Sequence, residues 1–230
     1  MHKIGLIGAS NWYAASRYFT RINEQVHRRI GGVCSAPIIM ESISCVDISH
    51  DANEAAWDDV EKMVIASAKR MQSAGAMAIF LCANSMHKIH AQVADAVDVP
   101  VPHIIDAVAD KIKLDGRKSA ALLGTRNVMT QSWYRQRFVK DGIDLLPTNA
   151  DRVAEIDKII HEQLMFGETS RDAERTLKTY ITNIEKEEVD AVILGAAELT
   201  MIVDSKANVM PIYDSTEIHA DLAVKWVVGD

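Results

Sequence analysis

One stretch of this 230-residue chain gathers groups that can move a proton or hold an anion: Ile79-Phe-Leu-Cys-Ala-Asn-Ser-Met-His87. An apolar run ends at Cys82 and a helix-forming run begins just beyond it. The thiol is therefore expected at the tip of a buried strand, before a helix N-terminus. Free amides and the helix dipole there would lower its pKa toward a usable thiolate. Asn84 and Ser85 would offer donors to an anion such as a carboxylate. The competing reading is packing, because an unpaired cysteine is often a small, inert core residue. Cys34 and Cys45 lack any such setting and are read as packing. His87 could pair with Cys82 as an acid/base couple, or lie on the helix surface.

Two further turns could cradle an anion through their backbone amides: Gly8-Ala-Ser10-Asn11 and Gly124-Thr125. No Gly-x-Gly-x-x-Gly and no Gly-Lys-Ser/Thr loop occurs, so a nucleotide is not implied. The histidines at 27, 50, 90, 103, 161 and 219 show no ligand spacing with carboxylates and are read as surface or structural, and no Cys-x-x-Cys pair suggests zinc. No metal site and no cofactor is expected. Three cysteines form no disulfide framework. A net charge of −7 without a basic stripe argues against nucleic acid. No apolar run reaches membrane-spanning length. These features point to a cytoplasmic protein with a small-molecule partner.

Elements of α/β type must position these turns. Strands are expected at Lys3–Gly8, Ala36–Ile43 and Met77–Cys82, with helices at Ala14–Arg29, Asn53–Ser73 and about Met86–Val97. Gly31-Gly32 and Gly75 would stop the first two helices. Pro100 and Pro102 mark a break, after which the pattern restarts. Further strands are expected at Ser119–Gly124, Gly142–Leu146, Asp190–Gly195 and Pro211–Tyr213. Helices are expected at Asn127–Lys140, Asp151–Phe166, Arg171–Lys186 and Thr216–Val227. Glu185-Lys186-Glu187-Glu188 reads as a solvated helix end. Strands alternating with helices predict parallel βαβ units. The Gly8 and Gly124 turns, and Leu81-Cys82-Ala83-Asn84 with Gly195-Ala196-Ala197-Glu198, look like a duplication. The expected fold is two similar lobes, each a parallel sheet flanked by helices, pseudo-twofold, with the active site in the cleft between them. Residues 1–100 plus 210–230 would form the first lobe and 101–209 the second.

Leu81-Cys82-Ala83-Asn84-Ser85-Met86-His87-Lys88 is similar to the first cysteine signature of the aspartate/glutamate racemase superfamily. The Gly8 turn with Trp12, the Tyr18…Asn23-Glu24 helix, Gly31-Gly32, Trp57, Leu122–Arg126, Tyr134-Arg135 and Asp214…His219-Ala220 extend the resemblance over nearly the whole chain. It implies pyridoxal-independent isomerase chemistry on an amino acid or small carboxylate, and a homodimer. In that chemistry two thiols flank the carbon next to a carboxylate, one taking a proton and the other giving one. Donors neutralise the carboxylate as charge develops.

The resemblance breaks at the second signature. Where the family has Gly-Cys-Thr-Glu, this chain has Gly195-Ala196-Ala197-Glu198. Ala83 stands where a hydroxyl residue is frequent, and Ser44 where Asp or Asn is usual. Asp51-Ala-Asn-Glu54 lacks the arginine that would pair with an acidic side chain; Arg17 or Arg126 could substitute. Cys82 and Glu198 are therefore the catalytic candidates. Ser10, Asn11, Asn84, Ser85, Thr125, Ala196 and Ala197 are the substrate-binding candidates. Three functions fit: a racemase with Cys82 on one face and Glu198, or a water it orients, on the other; a one-base lyase or decarboxylase; and a carboxylate-binding homologue without turnover.

Overall fold

A computed structural model describes residues 1–9, 12–44, 54–206 and 208–229. The chain forms two compact units, 1–104 with 219–230, and 105–218. Ser10, Asn11, Cys45 and the 51–53 segment lie outside the described residues.

The first unit carries a three-stranded parallel sheet in the order β2-β1-β3, from β1 (Ile4–Gly8), β2 (Ile38–Ser42) and β3 (Ile79–Leu81). Helix α1 (Trp12–Ile30) links the first two strands, and α2 (Glu54–Ser73) precedes the third. Gly31 and Gly32 adopt φ of 78° and 67°, so the left-handed backbone that only glycine takes cheaply ends α1 where the sequence places its stop. Side chains alternate between the two sheet faces. Ile7, Ile79 and Leu81 join the core that contains Val60, Val64 and Met71 of α2. Leu6, Phe80 and Cys82 join the opposite core, with Tyr18 and Ile22 of α1 and Ala220, Ala223 and Val224 of α9 (Ser215–Val228).

Beyond β3 the expected helix is a six-residue 3-10 helix (Asn84–Ile89) followed by a short α3 (His90–Asp95). Helix α4 (Ile104–Leu114) is not among the elements expected from sequence. Pro100 and Pro102 mark the break but do not announce a helix directly beyond it. Ile104, Ile105, Val108, Ala109 and Ile112 give that helix a buried face.

The second unit has a four-stranded parallel sheet, β5-β4-β6-β7, from β4 (Ser119–Leu123), β5 (Asp144–Leu145), β6 (Val192–Leu194) and β7 (Ile212–Asp214). Its helices are α5 (Arg126–Thr130), α6 (Ser132–Lys140), α7 (Ala150–Glu162) and α8 (Arg171–Ile184). The expected single helix over 127–140 is two, separated at Gln131, whose extended backbone interrupts the run. The lobe boundary also differs from the expected one. Ile212–Asp214 pairs in parallel with Val192–Leu194, so this strand belongs to the second sheet, and the chain rejoins the first unit only at His219, within α9. Glu185–Glu187 is an exposed 3-10 turn, closed by Glu188 at φ 56°, as a solvated helix end requires.

Candidate active site

Both sheets have the same switch point. In the first unit the chain leaves β1 for β2 on one side and returns as β3 on the other; in the second it leaves β4 for β5 and returns as β6. Connections that diverge this way open a crevice at the carboxyl ends of the two central strands, where open α/β sheets bind ligands. The candidate turns lie just beyond those strands. Ser10 and Asn11 come after β1 but lie outside the described residues. Asn84 and Ser85 come after β3, with Asn84 buried and Ser85 half-buried. Thr125 comes after β4 and Ala196, Ala197 and Glu198 after β6.

The registers match residue for residue. Ile7 pairs with Leu81, and the Cys82 N–H donates to Ile7 O at 2.9 Å. Leu123 pairs with Leu194, and the Gly195 N–H donates to Leu123 O at 2.7 Å. In each case the next residue is extended, Ala83 at φ −139°, ψ 137° and Ala196 at φ −146°, ψ 128°, and a 3-10 helix comes after it. Cys82 is thus the counterpart of Gly195, and Ala83 is the counterpart of Ala196.

This register corrects the expectation for Cys82. The thiol shares its sheet face with Phe80 and is 1% exposed within the core beneath α1 and α9, where its Sγ–H points to Phe80 O at 3.6 Å. Burial pushes the thiol pKa far above its ordinary value, opposite to the lowering expected of a helix N-terminus. The turn beyond it is a 3-10 helix that begins two residues later. Cys82 therefore has the surroundings of a packed cysteine rather than of a thiolate.

His87 does not pair with the thiol either. Its Nε2 faces Leu81 O at 3.3 Å, and its ring packs at 4.4 Å from His103, 5.5 Å from His219 and 5.8 Å from His90. His90 Nε2 faces Val101 O at 2.6 Å and His219 Nε2 faces Pro102 O at 3.2 Å. A carbonyl only accepts, so all three rings carry their proton on Nε2. Tyr18 can then donate to His219 Nδ1 at 2.7 Å. Burial, then the neighbouring His103, His219 and His90, hold the His87 pKa well below the usual imidazole range. The cluster is held by ring packing and by contacts to backbone carbonyls, and no sequence spacing announces it.

In the second unit the structure brings the candidates together. Gly124 and Gly195 approach so closely that a Cβ on Gly124 would stand 3.2 Å from the Gly195 carbonyl. This contact sets Thr125 beside the turn bearing Ala196, Ala197 and Glu198. Thr125 precedes α5 with extended backbone and makes no side-chain cap bond. Glu198 is 7% exposed. Behind it stands a pair that sequence reading passes over. Asp157, 1% exposed on α7, accepts from the Arg126 N–H at 2.6 Å, and His161 Nδ1 lies 3.0 Å from Asp157 O and 3.4 Å from Asp157 Oδ1. The hydrogen bond to Asp157 raises the His161 pKa above its ordinary value, with Glu198 adding to the attraction. The i,i+4 spacing of Asp157 and His161 on an amphipathic helix is the signal that could have found it. Among the described residues no group of three His, Cys, Asp or Glu side chains is placed to hold a metal ion. None of their helices is long and apolar enough to cross a membrane.

Comparison with known proteins points the same way. Residues 4–223 match the family model described as Asp/Glu/Hydantoin racemase. A protein from Yersinia pestis, provisionally assigned as an Asp/Glu racemase, superposes with a TM-score of 0.91 at 32% identity, over 99% of this chain and 100% of that one. An aspartate racemase homologue from Pyrococcus horikoshii OT3 gives 0.84 at 29% identity, over 99% and 100%. The broad specificity amino-acid racemase RacX of Bacillus subtilis (strain 168) is 21% identical over 169 residues, 73% of this chain and 72% of its own.

Proposed function

Because the chain belongs to the Asp/Glu/hydantoin racemase family, we propose that it is an enzyme acting at the carbon next to a carboxylate that moves a proton on one face only, with Glu198 as its acid/base group. One observation carries this reading. At the equivalent positions after β3 and β6 stand Ala83 and Ala196, neither able to exchange a proton, while Glu198 is buried at the carboxyl end of β6. Racemisation needs a base on each face of the carbon. A single carboxylate supports abstraction and return on the same face. It equally supports protonation of the carbanion left when a carboxyl group departs as carbon dioxide.

Glu198 takes or gives the proton in this reading. Thr125 and the backbone N–H of Ala197, which opens the 3-10 helix, hold the substrate carboxylate, stabilising its charge as the carbanion forms. The methyl side chains of Ala196 and Ala197 leave room beside it. Glu198 is among the groups that raise the His161 pKa, after Asp157, so His161 and Glu198 sit within electrostatic reach of each other. The substrate class is an amino acid or small carboxylic acid, in line with the relative named as a broad specificity amino-acid racemase. The reading calls for no cofactor.

The test is exchange in deuterated water, with single-enantiomer amino acids and small malonates as substrates. Deuterium incorporation with retention, or release of a product shorter by carbon dioxide, is expected. Glu198→Gln should lower that rate at least about 100-fold, the scale at which a general base contributes, and Cys82→Ala should leave it within about threefold. Inversion that depends on Cys82 would return the chemistry to the thiol. Ligand-induced stabilisation with no exchange would make the chain a binding protein.

A further inference from the structure

A small recess open to solvent lies within the second unit beside the turn from β5 into α7. Arg135, Arg152, Thr148 and Asn149 line it, against an apolar wall that includes Leu122 and Met129. Neither Thr125 nor Glu198 contributes to it.

The two guanidinium groups give the recess its character. Arg135 donates through one terminal nitrogen to Met129 O at 3.3 Å, and through the other to Leu145 O at 3.4 Å and Leu146 O at 2.7 Å. All three acceptors are neutral. Among the described residues no carboxylate pairs with Arg135, and its loss of hydration pulls its pKa below the ordinary arginine value. A part-buried cation without a counter-ion is costly, and a carboxylate or phosphate oxygen is the partner a guanidinium fits best. Arg152 adds a second charge. One terminal nitrogen meets Glu187 Oε1 at 2.6 Å, and its Nε is buried without a hydrogen-bond partner among the described residues. The recess also borders the N-terminus of α7, a helix of 13 residues whose dipole favours negative charge there. Asn149 caps that end by accepting from the Arg152 N–H at 2.9 Å, so the cap is satisfied, Arg152 is paired through one nitrogen with Glu187, and Arg135 has no carboxylate partner among the described residues.

We propose that this recess is a binding site for a small oxyanion, a carboxylate or phosphate group, held by Arg135 and Arg152. Glu187, on the exposed 3-10 turn after α8, competes for Arg152 and sets how tightly the anion binds.

Inorganic phosphate is the probe, titrated by calorimetry and by thermal unfolding against sodium chloride of equal ionic strength. Saturable heat and a rising unfolding midpoint with phosphate, absent with chloride, are expected. Arg152→Gln should weaken binding at least about tenfold, the effect of losing a charge-assisted hydrogen bond. Glu187→Gln should tighten it several-fold by freeing the Arg152 guanidinium, which phosphate bound elsewhere would not sense. Arg135→Gln should abolish binding; because Arg135 also ties down three carbonyls, the Arg152 and Glu187 variants decide the outcome if that protein does not fold. No saturable response to phosphate, or an identical response in wild type, Arg152→Gln and Glu187→Gln, overturns the proposal.

Discussion

At the scale of single residues, the buried histidines make the first unit sensitive to acid. His87 is 2% exposed, and its folded pKa lies well below that of a free imidazole. The groups facing it are His103, His219 and His90, and Tyr18 reaches the cluster through His219. Above about pH 6.5 the ring is neutral in both folded and unfolded chains and contributes no pH dependence. As pH falls below that value the unfolded chain takes up a proton that the folded ring refuses. Stability is therefore lost progressively until pH reaches the depressed folded pKa. Each such proton costs up to about 1.4 kcal/mol per pH unit. Urea unfolding between pH 8 and pH 5 should show this decline. His87→Gln should reduce its slope by about one proton's worth, despite a cost of about 1–3 kcal/mol at pH 8 for disturbing the Leu81 contact. An unchanged slope would mean that His87 is not the group responsible.

The same scale shows where sequence reading reaches its limit at the site. Apolar runs and glycine stops are enough to place Cys82 at a strand tip, and Asn84, Thr125 and Glu198 at the turns beyond strands. Period-two alternation decides which face each residue takes, and a shift of one position reverses it. Whether Cys82 or Ala83 ends on the face away from α1 depends on strand register, which the pairing of Ile7 with Leu81 fixes and composition does not. The signature draws attention to the sulfur. The backbone assigns the corresponding place to the alanine beside it.

At the scale of elements, the approach of β4 to β6 is what puts Thr125 beside the turn that begins at Gly195. A Cβ on Gly195 would lie 2.7 Å from Val128 Cγ1 and 3.2 Å from Leu122 Cδ1. Val128 is buried and β-branched, so it has little freedom to move. Gly195→Ala should cost about 1–3 kcal/mol as an overpacked site, seen as a lower denaturation midpoint. Combining it with Val128→Ala should recover part of that loss, because the two changes share one contact. Strict additivity in the double-mutant cycle would place the strain elsewhere. Long elements such as α1, α2 and α8 are legible from periodicity and glycine stops. The break at Gln131 and the helix at 104–114 are not, because the first depends on a single extended residue inside a helical pattern and the second starts directly after two prolines.

For the whole molecule, the internal duplication is visible in the sequence as two glycine turns and two strand-tip signatures, and the matched registers of the two sheets bear out two parallel α/β sheets flanked by helices. The boundary between units is harder to see, since β7 is three residues long and only its pairing with β6 assigns it. The first unit packs a core on each face of its sheet, and the histidine cluster lies within that unit.

The burial of Cys82 gives the first unit an internal clock. A thiol 1% exposed among Phe80, Tyr18 and Ala220 reacts with an alkylating reagent only while the core around it is open. Pulse alkylation read by mass spectrometry, with half-exposed Cys34 as the fast reference, converts the Cys82 rate into the opening equilibrium of that unit. Mild acid should accelerate alkylation at Cys82 before far-ultraviolet circular dichroism reports global loss of helix. Alkylation that keeps pace with global unfolding at every pH would show that the first unit does not open by itself.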